Sequence, residues 1–213
     1  MRTRLSIAFV MIIAAVAYSC SDPSANKEKA TVGTAQQESP APKTAGTEKL
    51  AITPENSKVE FVASKVTKSH NGSFKQFSGE IGLDPNNVAA SSVTIDIETS
   101  SVVADDEQLT GHLKTPDFFD VAKFPKATFV STRIEPAAAG GDAYTVAGNF
   151  DLHGVKKSIT FPATIKLTPD SVAVDAEFSI NRKDFGIVYA GKADDLIRDG
   201  VVIKLSLKVP RKK

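Results

Sequence analysis

Several stretches of the chain alternate apolar and polar residues with a strict period of two. Ile159, Phe161, Ala163, Ile165 and Leu167 alternate with Ser158, Thr160, Pro162, Thr164 and Lys166. Val172, Val174, Ala176, Phe178 and Ile180 do the same, as do Val93, Ile95 and Ile97, and Ile203, Leu205, Leu207 and Val209. Successive side chains of a strand point to opposite faces, so each stretch has one apolar and one wetted face. Weaker versions run through residues 58–66, 74–83, 128–134 and 144–152. The pattern predicts eight strands.

Short turn signals separate most of them: Asp84-Pro85-Asn86-Asn87, Gly140-Gly141-Asp142, His153-Gly154-Val155 and Pro169-Asp170-Ser171. Turns this short join antiparallel neighbours. A long meander with one apolar face closes on itself, because closure removes unpaired edges. The expected fold is therefore all-β, an eight-stranded antiparallel barrel. Its interior is filled by side chains or holds one elongated ligand.

One interval breaks the alternation in favour of helix. Residues 105–114 begin with Asp105, Asp106 and Glu107 and end with Lys114, which suits the helix dipole. Leu109 and Leu113 stand four apart on one face. Directly after comes Pro116-Asp117-Phe118-Phe119, then Phe124-Pro125. Three phenylalanines within seven residues need cover. With the short helix they are expected to cap one end of the barrel, with Asp184–Gly200 as a long loop near its mouth.

The N-terminus reads as an export signal over residues 1–19. Arg2 and Arg4 precede an apolar run over 5–16, too short for the roughly 20 residues that span a bilayer. Cys20, the one cysteine, ends the segment in a setting similar to a lipoprotein lipobox, although Ala17 stands where leucine is usual and Tyr18 is bulky. Lipidation of Cys20 is the expectation, giving a membrane-anchored envelope protein facing the periplasm. Cleavage after Ala17, leaving a free thiol, is the alternative. Residues 20–49 are rich in Ala, Thr, Ser, Pro, Lys and Glu and hold no aromatic residue, so they are expected to form a disordered tether. The folded domain then runs over 50–213.

Charge and motifs exclude other classes. A net charge of +1, falling to −1 without Arg2 and Arg4, gives no nucleic-acid footprint. The three histidines, His70, His112 and His153, have no ligand-like spacing, so no metal site is expected. No nucleophile elbow or phosphate-cradling glycine loop occurs, so no catalytic residue is assigned. Phe61, Phe77, Phe129, Phe150, Phe161 and Phe178 fill a core or line a ligand space; the pattern alone leaves both open.

The run from His112 to Phe129, His-Leu-Lys-Thr-Pro-Asp-Phe-Phe-Asp-Val-Ala-Lys-Phe-Pro-Lys-Ala-Thr-Phe, closely resembles the signature of the YceI-like periplasmic proteins. Gly72–Gly79, Gly148–Lys157 and Ile180–Gly186 agree in order, and the resemblance covers about residues 50–209. It implies a lipocalin-like barrel and a non-enzymatic role. It also implies an apolar tunnel taking a polyisoprenoid, isoprenoid quinone or similar lipid, with no other cofactor. On that reading Phe61, Phe77, Ile95, Ile97, Phe129, Phe150, Phe161 and Phe178 contact the lipid, and His112 and Lys114 meet its headgroup. A ligand-free envelope interaction module is the alternative. The oligomeric state is left open.

Overall fold

A computed structural model describes residues 22–37 and 47–211. The signal segment and Cys20, with the expectations attached to them, lie outside the described residues. A short strand β1 (Thr31–Thr34) comes first. Three bent strands follow. β2 (Glu48–Ile52) turns at 53–56 into β3 (Ser57–Ser64), and β4 (Ser69–Phe74) passes through Lys75 and Gln76 into β5 (Phe77–Leu83). β6 (Ser92–Glu98) passes through a 3-10 turn into β7 (Val102–Ala104), which leads to the one α-helix described, α1 (Glu107–Leu113). Four long strands complete the wall: β8 (Lys126–Pro136), β9 (Ala143–Leu152), β10 (Val155–Leu167) and β11 (Ser171–Asn181). A two-residue hairpin, β12 (Gly191–Lys192) and β13 (Asp195–Leu196), precedes the last strand, β14 (Gly200–Pro210).

The order of hydrogen-bonded neighbours is β2-β5-β6-β8-β9-β10-β11-β14-β3-β4-β7. Each bent pair acts as one stave, because β2–β3, β4–β5 and β6–β7 are continuous in the chain. β14 pairs with β3, Leu207 opposite Ser57 and Val202 opposite Val62, and this closes the ring. Counted in staves, the barrel has the eight antiparallel strands that the alternation predicts. The bends add separate elements that the sequence pattern ran together.

The inward faces hold the core. Phe161 stacks on Phe178 with ring centroids 4.1 Å apart, and Phe129 lies 5.6 Å from Phe161. Ile95, Ile97 and Phe77 are buried beside them. Burying a side chain of this size contributes about 1.5–3 kcal/mol, so these faces drive closure. Close approach also fixes two glycines. A Cβ on Gly148 would come within 2.5 Å of the Phe129 ring and of the Val130 carbonyl oxygen, and one on Gly72 within 2.1 Å of the Phe61 ring.

One seam is incomplete. β10 and β11 pair only over Thr164–Leu167 and Val172–Asp175. Just below that ladder stands Pro162, which has no N–H to donate, and the two strands part there. The wedge is filled by β1, which pairs Thr31 with Thr160 and Thr34 with Lys157. The Ala30 N–H donates to the Ser179 carbonyl, and the Ser179 N–H to the Glu28 carbonyl, each at 2.8 Å. Ala30 is buried in the core, Lys27 pairs with Glu177 at 3.1 Å, and the Gln36 backbone exchanges two hydrogen bonds with the buried Asn149 side chain. The disordered tether expected over 20–49 is thus corrected for residues 22–37. Composition averaged over the segment hides a four-residue stretch, three of whose members (Thr31, Val32 and Thr34) are β-branched, and an unfinished edge recruits it as a strand.

Candidate functional site

The loops of one barrel end surround a cleft of about 590 Å³. Three structures wall it: α1 with the aromatic turn that follows, the tips of β3 and β4, and the loop between β11 and β14.

The Asp106 carboxylate caps α1 by accepting the Leu109 N–H at 2.8 Å. This fixes the helix with Leu109 and Leu113 on the cleft side and Leu113 buried. The chain then turns so that Phe118 reaches the same space. Its ring lies 4.9 Å from His112 and 5.5 Å from Tyr189, and the His112 and Tyr189 rings are 5.3 Å apart. His112 Nε2 is 2.7 Å from the Asp117 carboxylate, which fixes the imidazole plane.

On the facing wall, Phe61 forms the floor. It packs on Phe74 at 5.9 Å and on Phe119 at 6.4 Å, so the Phe-Phe pair bridges helix turn and barrel. Beside it the Asp105 carboxylate meets His70 Nδ1 at 2.7 Å and accepts the Asn71 N–H at 3.0 Å. The Asn71 N–H, with His70 adding to it, holds the Asp105 carboxyl below its ordinary range.

The third wall is a loop that has to be held. Arg182, only 4% exposed, donates to the carbonyls of Ile187, Ile197 and Arg198 and meets Asp199 at 3.3 Å. Burial draws its guanidinium pKa down and the Asp199 charge draws it back up. Phe185 is fully buried, and Gly186 takes φ 75°, which favours glycine. The Asp195 carboxylate accepts from the Lys65 ammonium at 2.5 Å and the Thr67 hydroxyl at 2.9 Å, so the β12–β13 hairpin is tied to the β3–β4 turn. The Lys65 hydrogen bond is the main reason that the Asp195 carboxyl lies below its usual value.

The result is a cleft of divided polarity. Phe61, Leu109, Leu113, Phe118, Tyr189 and Ile197 supply apolar surface, while Lys65, Lys68, Lys192, Asp106, Asp194 and Asp195 mark the rim. Among the described residues, no three His, Cys, Asp or Glu side chains come together as metal ligands. The space suits an amphiphile, since its size lies within the about 300–1,000 Å³ of small-molecule sites.

Of the residues expected to contact ligand, the structure brings Phe61 and His112 to the cleft. Phe77, Ile95, Ile97, Phe129, Phe161 and Phe178 lie below it in the packed core, and Phe150 packs on Phe185 at 5.2 Å. Lys114 is the helix C-cap residue and does not line the cleft. The sequence reading missed Leu109, Leu113, Phe118, Tyr189 and Ile197. Tyr189 and Ile197 had a signal available, as apolar residues inside a loop already expected at the mouth.

Comparison with known proteins follows the same boundaries. The family model of the YceI-like domain matches residues 50–209. Protein YceI of Salmonella arizonae is 36% identical over 122 residues, 54% of this chain and 62% of its own length. Protein YceI of Salmonella newport gives the same figures, so the chain spans less than two thirds of these relatives. Among solved structures, Burkholderia cenocepacia BcnA superposes with TM-score 0.66 at 29% identity, covering 74% of this chain and 98% of that one. A polyisoprenoid binding domain from Saccharophagus degradans, implicated in plant cell wall breakdown, gives 0.61 at 19% identity, with coverage of 78% and 99%. The Campylobacter jejuni YCEI protein gives 0.56 at 22%, covering 67% and 85%. At these identities the last two show the fold.

Proposed function

The chain belongs to the family of YceI-like domains, and from that membership we propose that its mouth cleft binds a polyisoprenoid or closely related amphiphilic lipid without chemical conversion. The observation that carries the reading is the division of the cleft into an apolar floor and a charged rim. An isoprenoid tail needs apolar surface and no polar partner, and its headgroup needs a polar edge. A structural neighbour is itself described as a polyisoprenoid binding domain. The reading extends to the cell envelope, with Cys20 acylated and the domain facing the periplasm as a carrier, store or shield for the lipid.

The volume sets a scale. At about 30 Å³ per heavy atom, taking the liquid volume of a water as the unit, 590 Å³ holds about 20 atoms. At about 0.3 kcal/mol per atom these contribute about 6 kcal/mol, a dissociation constant in the tens of micromolar. A tail of about four isoprene units fills the cleft. Lipid extraction of the purified protein followed by mass spectrometry tests the reading. Copurified isoprenoid is the expected result. A lipid-free protein that also fails to take up a twenty-carbon isoprenoid overturns it.

A further inference from the structure

Val66, Val188 and Leu196 are three of the four large apolar side chains that stand in solvent among the described residues, at 51%, 65% and 49% exposure. They are far apart in sequence yet gather at one place. Val66 lies in the β3–β4 turn, and its N–H donates to the Leu196 carbonyl at 3.1 Å. Leu196 ends the β12–β13 hairpin, and Val188 precedes Tyr189, whose ring walls the cleft. Scattered exposed aliphatics are ordinary, but three fringing one opening form a patch that asks for a partner. The rim between them is balanced in charge. Lys65, Lys68 and Lys192 stand among Asp106, Asp194 and Asp195.

A second observation says what the patch meets. The chain enters the described domain at Asp22, whose carboxylate is 3.8 Å from Arg198. Ser24 lies on Gly200, and the Arg198 N–H donates to the carbonyl of Ser64, a cleft residue. Cys20 precedes this docked point by two positions, a reach of at most about 7 Å at full extension. The described chain therefore begins beside the cleft mouth, two positions after Cys20, the residue read above as carrying the acyl anchor.

We propose that the mouth face docks on a lipid bilayer, with Val66, Val188 and Leu196 inserted among the headgroups. Apolar insertion holds the contact, since the balanced rim offers no basic patch for anionic lipid. In that pose an amphiphile passes between bilayer and cleft without crossing water. This passage rests on the lipid-binding reading; the docking does not, because a cleft turned away from the membrane can also bind lipid.

The chain contains no tryptophan, so one introduced indole reports alone. The full chain carrying Val188→Trp is mixed with phosphatidylcholine vesicles, some with brominated acyl chains. Ala139→Trp, in the exposed turn between β8 and β9 at the opposite barrel end, is the control. Val188→Trp emission is expected to move to shorter wavelength and to be quenched by bromine, with no change at high salt. Ala139→Trp is expected to do neither. Leu196→Trp repeats the measurement if the first variant does not fold, and Val66→Asp with Leu196→Asp is expected to abolish the Val188→Trp response. Equal quenching at both ends, no quenching at either, or quenching that needs anionic lipid and low salt overturns the proposal. Lipid content is measured on the same samples. Bound isoprenoid with a silent Val188→Trp overturns the docking alone, and a quenched Val188→Trp without lipid uptake overturns the lipid-binding reading alone.

Discussion

Replacing Gly72 by alanine puts a methyl group into space that the Phe61 ring occupies. The new Cβ would lie 2.1, 2.5 and 2.7 Å from three atoms of that ring. Phe61 is held on its other sides by Phe74 and Phe119, so the ring yields only by turning toward the cleft. Overpacking of this kind costs about 1–3 kcal/mol. For a domain of this size each kcal/mol moves the melting temperature by about 2–4 °C, so Gly72→Ala is expected to lower it by roughly 2–12 °C. The displaced ring also fills part of the cleft floor, and isoprenoid uptake falls with it. Thermal melts in the wild-type and Phe61→Leu backgrounds give the diagnostic comparison. The smaller, flexible leucine leaves room for the methyl group, so the penalty of Gly72→Ala shrinks there, with a coupling of about 0.5–3 kcal/mol. Strict additivity of the two changes, or unaltered stability and uptake in Gly72→Ala, refutes the reasoning.

Three further outcomes follow from other contacts. Asp106→Ala removes the α1 cap and is expected to cost about 0.5–2 kcal/mol, read by denaturant unfolding, with faster amide exchange at Leu109. Arg182→Met strips donors from the carbonyls of Ile187, Ile197 and Arg198; each buried acceptor left unpaired costs about 1–3 kcal/mol, and protease cleavage within 187–198 is expected to rise. The Glu177 carboxyl is held below its ordinary 4.5, chiefly by the Lys27 ammonium. A depressed pKa gives stability that is complete above the unfolded value and lost as pH falls through the folded one. Exchange protection of the Ala30 amide is therefore expected to fall between about pH 5 and pH 3, ahead of the amides in the β9–β10 ladder. Unchanged relative protection over that range counts against a holding role for the Lys27–Glu177 pair.

The barrel was legible because period two is a global signal. Every stave carries it, and the short turns dictate antiparallel order. The strap over 22–37 was not, because the apolar side chains that it packs into the core are only Ala30 and Val32, set among polar neighbours. The strand β1 forms where β10 and β11 do not pair, beside Pro162. The site was half legible for a related reason. Phe161 and Phe178 read equally well as ligand contacts or core, since both roles put an aromatic ring on the inner face. In this structure the two rings stack at 4.1 Å within the packed core. The motifs that carry the family resemblance turn out to be largely structural. Arg182, Phe185 and Gly186 secure the loop, and Phe119 ties the helix turn to the barrel. Of the residues that face the cleft, Tyr189 and Ile197 come from the loop that those motifs hold in place, while His112, Leu113 and Phe118 come from the first motif itself.

The claim that the cleft is a lipid site is tested most directly by methyl-resolved NMR during titration with a twenty-carbon isoprenoid phosphate. Shifts are expected at Leu109, Leu113 and Ile197, saturating in the tens of micromolar, with smaller changes at Ile165 and Val172. Shifts confined to methyls away from the mouth, or a spectrum unchanged at saturating lipid, contradict the account.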